Sequence, residues 1–243
     1  MKKNGAKAIV QIHHGGAQAL PELTPDGDVV APSAISLKSF GQQKEHDARE
    51  MTAEEIEQTI RDFGEATRRA IEAGFDGVEI HGANHYLIHQ FVSPYYNRRN
   101  DVWADNYKFP VAVIDEVVKA KKAHANDDFI IGYRLSPEEA ESPGISMEIT
   151  EELIHQIANK PLDYIHVSLM DVNSVTREGK YKGENRLELI HQWINGRMPL
   201  IGIGSVFTAE DALNAVENIG VEFVALGREI LLDYDFVAKI KEG

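Results

Sequence analysis

The chain has 243 residues with 25 basic and 39 acidic side chains, which gives a formal net charge of −14. This length can bury a sizeable core, and an apolar content of 43% excludes a disordered chain. The acidic balance argues against a nucleic-acid-binding protein, which needs basic residues to face phosphates. The lack of cysteine excludes disulfides, thiolate metal sites and iron–sulfur clusters built by this sequence. No apolar run approaches the roughly 20 residues of a membrane helix, so we expect a soluble, cytoplasmic α/β protein.

Strands and helices alternate along the chain. A short strand at residues 6–12 is followed by a long loop, rich in Gly, Pro, Ser and Asp, from His13 to about Glu50. Thr52 and Glu55 then form a capping box at the start of an amphipathic helix, which Gly74 ends as a left-handed glycine. Further strands are predicted at residues 75–81, 129–135, 164–168, 200–204 and 223–226, and further helices at 111–125, 150–159, 186–195 and 208–219.

This alternation predicts a single domain over residues 1–243, because no shift in composition marks a boundary. Six strands separated by helices indicate a parallel sheet, either doubly wound or part of a (β/α)8 barrel. In both architectures the reactive residues gather where the strands end. We therefore expect the side chains that carry chemistry at the strand ends.

Two consecutive strands end in glycine, and a helix follows each of them. The turns are Gly204-Ser205 and Gly227-Arg228. Glycine lets a ligand approach the backbone, and free N–H groups at a helix start attract phosphate. The pair of turns favours a phosphate site, although ordinary turn glycines are the alternative for either turn alone. No Gly-x-Gly-x-x-Gly motif follows a strand, which disfavours a dinucleotide fold of Rossmann type.

A polar segment containing His81, Asn84 and Tyr86 directly follows the strand at 75–81. One helical turn would place His81 and Asn84 on the same side. Together they offer two neutral hydrogen-bond donors suited to a carbonyl oxygen that gains negative charge, and the Tyr86 hydroxyl can protonate a carbanion. Packing of polar aromatic side chains in a loop is the alternative. A metal site at His81, His85 and His89, spaced for one continuous helix, is not predicted because the set has no carboxylate.

Two further polar residues lie in otherwise apolar strands. Gln11, at the end of the first strand, can pair with a flat ring that carries adjacent N–H and C=O groups. Arg134 comes late in the strand at 129–135 and needs an anionic partner. That partner is either a ligand or a nearby Asp or Glu in a structural ion pair.

Several segments together resemble the Old Yellow Enzyme family. They are residues 11–16, 81–94, 97–101, 202–205 and 225–228, and they extend over essentially the whole chain. The His-x-x-Asn-x-Tyr segment, with the Ser-Pro and Asn-Arg-Arg-x-Asp that follow it, is the most specific part of the match. The resemblance implies an FMN-dependent oxidoreductase on a (β/α)8 barrel, which passes hydride from NADH or NADPH through FMN to a small molecule of the α,β-unsaturated carbonyl class.

The resemblance also implies a role for each candidate residue. His81 and Asn84 would hold the carbonyl oxygen of the substrate, and Tyr86 would deliver the proton. The residues implied to contact FMN are Gln11 at the pyrimidine edge, Arg134 near N1 and O2, and Gly204, Ser205, Gly227 and Arg228 around the phosphate.

The strand count departs from the family pattern. In the family the two phosphate turns follow strands seven and eight, so the strand at 6–12 corresponds to strand three. We therefore expect a barrel truncated to about six β/α units, with unpaired edges that favour a homo-oligomer. Two alternatives remain: a catalytically silent fragment that acts through a partner or self-association, and a phosphate-binding aldolase or decarboxylase, for which no strand-end lysine is present.

Overall fold

A computed structural model describes residues 2–38, 40–42 and 44–242. The strands are β1 (Ile9–Ile12), β2 (Val30–Ala31), β3 (Ile35–Leu37), β4 (His46–Glu50), β5 (Gly77–Gly82), β6 (Ile130–Leu135), β7 (Tyr164–Val167), β8 (Leu200–Ile203) and β9 (Phe223–Ala225). The helices are α1 (Ala53–Glu72), α2 (Leu87–Val92), α3 (Lys108–His124), α4 (Met147–Ile157), α5 (Arg186–Ile194), α6 (Ala209–Asn214), α7 (Arg228–Leu232) and α8 (Phe236–Glu242). Within these residues no helix is both long and apolar enough to cross a membrane.

The main sheet has six parallel strands in the order β1-β5-β6-β7-β8-β9. Within this sheet each strand lies beside the sheet's next strand in chain order, and at least one α-helix separates every such pair along the chain. In a doubly wound sheet the order of the strands would instead reverse at a switch point. The order is therefore that of a (β/α)8-type barrel wall, with β1 and β9 at its two edges, and the predicted fold class is confirmed.

The start of α1 follows the predicted capping chemistry. Thr52 Oγ1 accepts the Glu55 N–H at 3.2 Å, and the Glu55 carboxylate accepts the Thr52 N–H at 2.8 Å. Gly74, just beyond the helix, has a φ of +81°. The apolar face of α1, including Ile56 and Phe63, is buried.

The predicted loop from His13 to Glu50 is wrong in one respect, because it contains a second, small sheet. Strand β4 pairs in parallel with β2 and antiparallel with β3. Val29, Ala31 and Ala48 are buried there against Tyr96. These strands are only two to five residues long and are surrounded by Gly and Pro, so their apolar pattern is too short to recognise in the sequence.

The register of the main sheet places its polar side chains on one face. Gln11 is paired with Glu79, His81 with Arg134, and Arg134 with His166. Residues in register in parallel strands point to the same side of the sheet. The intervening residues, such as Ile80 and Ile131, are buried in the apolar core. The sheet therefore has one apolar face in the core and one polar face, where the candidate residues lie.

Candidate active site

A sharp turn separates His81 from Asn84. His81 lies in β5, while Asn84 and His85 have φ angles of +57° and +59° before α2 begins at Leu87. The predicted helical turn is therefore wrong. The end of a strand and a left-handed turn position these residues instead, a backbone that is uncommon for residues other than glycine and occurs often at functional sites.

Two serine hydroxyls orient the side-chain amide of Asn84. Ser168 and Ser136 donate to Asn84 Oδ1 at 3.0 and 3.3 Å. Each serine oxygen also accepts a hydrogen bond, Ser136 from the Asn84 N–H and Ser168 from Arg134 Nη2, so each hydroxyl hydrogen is left for Oδ1. With its oxygen held in this way, the Asn84 amide can offer its NH2 group to a ligand.

His81 is a neutral imidazole at neutral pH. Burial, followed by the nearby charge of Arg134, lowers the pKa of its side chain to about 4. Its Nδ1 is buried and has no hydrogen-bond partner among the described residues. The Tyr86 ring lies close by, with its centroid 5.3 Å from that of His81 and 4.9 Å from that of His13. A neutral donor, an oriented amide and a phenol thus lie together at the end of β5.

Arg134 carries a positive charge that no carboxylate neutralises by direct contact in the described part of the chain. Its Nη2 donates to Ser168 Oγ at 3.0 Å, and its buried Nε has no partner there. Burial lowers the pKa of the guanidinium, and the charge of Glu79 partly opposes this effect. The structural ion pair considered from the sequence is therefore not formed. An unpaired, half-buried guanidinium fits a ligand with an electron-rich edge, as FMN has at N1 and O2.

Gln11 is held by a buried carboxylate. Its Nε2 donates to Glu79 Oε1 at 2.6 Å, while Tyr164 and His166 donate to Glu79 Oε2 at 3.0 Å each. Burial alone would raise the pKa of Glu79, but the His166 contact, assisted by Gln11 and Tyr164, holds it below its usual value. The second Nε2 hydrogen and the side-chain oxygen of Gln11 remain for a ligand.

The two glycine turns lie side by side at the ends of β8 and β9. Gly204 and Ser205 have φ angles of +128° and +52°, and the Arg228 guanidinium lies 5.3 Å from the centre of the Phe207 ring. No atom lies within 4 Å of where a Gly227 Cβ would be, which leaves room for a ligand among the described residues. The Gly227 N–H, however, donates to the Glu229 carboxylate at 2.8 Å, so an arriving phosphate would compete with that carboxylate.

Sequence reasoning missed three residues that complete the site. Ser136 and Ser168 immediately follow β6 and β7, and Glu79 lies in β5 two residues before His81. The sequence does mark these residues, because each is a polar residue inside or directly after an apolar strand. Their roles depend on contacts between residues 52 to 87 positions apart, which a sequence pattern does not contain.

Comparison with known proteins identifies the family. Residues 1–243 match the model of the NADH:flavin oxidoreductase / NADH oxidase family. The chain is 51% identical over 247 residues to the probable NADH-dependent flavin oxidoreductase YqiG of Bacillus subtilis, covering 100% of this chain and 65% of YqiG. It is 41% identical over 253 residues to the NADH:fumarate oxidoreductase of Klebsiella pneumoniae, covering 100% of this chain and 27% of that protein.

Solved structures show the same fold as this chain. A structure of morphinone reductase in complex with tetrahydroNAD superposes with a TM-score of 0.77 at 24% sequence identity, covering 98% of this chain and 66% of that one. The family resemblance inferred from the motifs is confirmed, and no ground remains for an aldolase or decarboxylase. The chain belongs to the NADH:flavin oxidoreductase / NADH oxidase family.

Proposed function

We propose that this chain forms the FMN site of an oxidoreductase that takes hydride from NADH or NADPH and passes it to an activated alkene of the α,β-unsaturated carbonyl class. Family membership supports the flavin and the nicotinamide donor. The observation that carries the substrate class is the oriented Asn84 amide, three residues after the neutral imidazole of His81 at the end of β5. Because the chain spans 65% of YqiG and 27% of the fumarate oxidoreductase, their whole activities are not transferred to it.

His81 and Asn84 would bind the carbonyl oxygen of the substrate. Both groups are uncharged donors, so they stabilise negative charge developing on that oxygen without requiring a counterion. A donor of this kind in a water-poor site is worth roughly 3 kcal/mol in the transition state. The serines that hold Asn84 fix the direction of its N–H groups before the substrate arrives.

Tyr86 would deliver a proton to the alkene carbon that does not receive hydride. Its ring lies beside that of His81, and its phenol is a suitable acid for a carbanion. The other candidate residues would hold the cofactor: Gln11 at the pyrimidine edge, Arg134 near N1 and O2, and Gly204, Ser205, Gly227 and Arg228 around the phosphate. When bound, FMN supplies the hydride-transfer chemistry itself.

The test separates the two halves of the reaction in protein supplied with excess FMN. Both half-reactions are followed by stopped flow in the absence of oxygen. NADH first reduces the flavin, and 2-cyclohexenone then reoxidises it. We expect Tyr86→Phe to slow reoxidation by roughly 10²-fold or more and to leave reduction by NADH nearly unchanged. Tyr95→Phe is the control, because the Tyr95 ring meets Tyr96 edge to face, whereas the ring beside His81 is that of Tyr86.

Equal slowing of both half-reactions by Tyr86→Phe would contradict the proton-donor role. A chain that binds FMN but is not reduced by NADH or NADPH would contradict the proposed function, and would favour a catalytically silent fragment.

A further inference from the structure

Three side chains suited to metal binding meet beside the Asn84 turn. His85 precedes α2, His89 lies within it, and Glu139 lies in the loop after β6. Glu139 Oε2 is 2.7 Å from His89 Nε2 and 3.6 Å from His85 Nδ1, and one potential ligand atom from each residue lies within 4.8 Å of the others. Metal–ligand bonds of about 2.1 Å place ligand atoms about 3.4 Å apart in a tetrahedral site. The distance from Glu139 to His85 is close to this value, while the shorter one to His89 is that of a hydrogen bond, which a bound metal ion would replace.

The cluster is buried, and among the described residues the Nδ1 atoms of both His85 and His89 have no hydrogen-bond partner. The side chains of His89 and Glu139 are fully buried, and that of His85 is 24% exposed. Within the described residues, the buried Nδ1 of His85 makes no hydrogen bond, although it is directed toward the Glu139 carboxylate. The two imidazole rings lie side by side, with centroids 4.6 Å apart. A buried polar nitrogen without a partner is costly, and a metal ion would remove that cost.

Other groups hold the carboxylate in place. Glu139 Oε1 accepts hydrogen bonds from the Ser93 hydroxyl and from the Ile145 N–H, the latter at 2.8 Å. This arrangement leaves Oε2 directed at the two imidazoles. Carboxylate ligands of metal ions are characteristically fixed by such outer hydrogen bonds.

The site also has an open side. His85 and Glu139 line a cavity of about 290 Å³, together with Ser136, Ser168 and Arg177. A cation held by three protein ligands would therefore have a free coordination position facing this cavity. Two imidazoles and one carboxylate with an open position suit a divalent first-row transition metal such as Zn²⁺.

We propose that His85, His89 and Glu139 bind one divalent transition-metal ion, with a water molecule from the cavity as its fourth ligand. The site is separate from the residues assigned to FMN. It differs from the histidine set considered in the sequence, since His81 lies in β5 and Glu139 supplies the carboxylate that the set lacked.

Binding of the metal alone tests the proposal. Protein freed of metal with a chelator is titrated with Zn²⁺ by calorimetry, and with Co²⁺ by its visible absorption. We expect binding to saturate at one ion per chain, and the Co²⁺ spectrum to be that of an ion with a low coordination number. We expect His85→Asn to weaken binding at least 100-fold, and Ser93→Ala to weaken it about 10- to 100-fold by releasing the carboxylate. His155→Asn, at an exposed position of α4, should bind as the unmodified chain does.

Two outcomes would overturn the proposal and leave a hydrogen-bonded His89–Glu139 pair. One is Zn²⁺ binding that does not saturate at one ion per chain, and the other is equal Zn²⁺ affinity in the His85→Asn and His155→Asn proteins. His85 is partly exposed, so its variant is expected to fold even if one at Glu139 does not. Because no step of this test requires NADH or FMN, its failure would leave the proposed oxidoreductase function untouched.

Discussion

At the residue scale, the direction of the Asn84 amide depends on hydroxyls at the ends of two neighbouring strands. Ser168→Ala would remove a donor to Asn84 Oδ1 and the acceptor of Arg134. His81 and Asn84 would bind the oxygen of a phenol as they would a substrate carbonyl, so phenol affinity reports on the direction of the amide. One hydrogen bond contributes about 1 kcal/mol, and we expect phenol affinity in the FMN-loaded protein to fall about fivefold or more. The charge-transfer band of bound phenol with oxidised flavin measures this affinity.

The control for that measurement is Ser174→Ala. Ser174 lines the same cavity, and its hydroxyl has no hydrogen-bond partner within the described part of the chain. Equal phenol affinities in the two variants would show that Ser168 does not orient Asn84.

A second prediction at this scale concerns the protonation of His81. Its pKa is about 4 in the folded chain, against 6.5 for an unperturbed histidine, so the unfolded chain binds the proton more readily between these values. Stability from His81 is therefore complete above pH 6.5 and is lost as pH falls toward 4. We expect its share of the free energy of unfolding to drop by about 2 kcal/mol between pH 7 and pH 5.

Urea unfolding at the two pH values measures this share as the difference between the unmodified chain and His81→Gln, which has a side chain that does not titrate. The same pH slope in both proteins would contradict a neutral, buried His81. A direct NMR titration of the His81 ring with a midpoint near 6.5 would contradict it independently.

At the element scale, the Tyr164 side chain of β7 crosses β6 at Gly132, where there is no side chain in its way. A Cβ on Gly132 would lie 2.0 Å from the Tyr164 ring, which crosses this position to reach Glu79. We expect Gly132→Ala to displace Tyr164 and destabilise the chain by about 1–3 kcal/mol. In a Tyr164→Ala background the same change should cost much less, as a double-mutant cycle by thermal unfolding would show. Additive effects of the two substitutions would refute this contact.

Local signals in the sequence predicted most of these elements. The capping box at Thr52 and the glycine at position 74 were recognised because both act within one turn of helix. The left-handed turn at Asn84 and His85 was not, since neither residue requires that backbone by itself. Helix 208–219 was predicted as one element, but it is α6 followed by a π-helical turn at Ala215–Ile219.

At the scale of the whole molecule, the parallel sheet explains why part of the site was predictable. Gln11, His81 and Arg134 were expected to share one edge because the ends of parallel strands lie together, and their register agrees with this. The His89–Glu139 contact spans 50 residues, and neither residue ends a strand. Contacts of this kind depend on how loops pack over the sheet, which no local pattern specifies.

The open sheet also bears on cofactor affinity. The phosphate turns lie on β8 and β9, at one edge, while Gln11 lies on β1 at the other edge. In the described part of the chain no strand joins β1 to β9, so a flavin ring bound between these two edges would be open to water on that side. We therefore expect this chain alone to bind FMN weakly, with a dissociation constant above about 1 µM, as measured by quenching of flavin fluorescence. One tightly bound FMN per purified chain would contradict this expectation.

The exposed apolar surface near β9 leads to a final prediction about association. Leu231, Leu232 and Tyr234 are 88%, 78% and 83% exposed and lie close in sequence to the unpaired edge strand. Free strand edges and exposed apolar side chains both promote contacts between chains. We expect self-association that increases with concentration in sedimentation experiments and is reduced by Leu231→Glu combined with Leu232→Glu. Leu23→Glu, at a position that is also 78% exposed but far along the chain, is the control. A monomer at all concentrations, or an equal response to the two sets of changes, would show that this surface does not drive association.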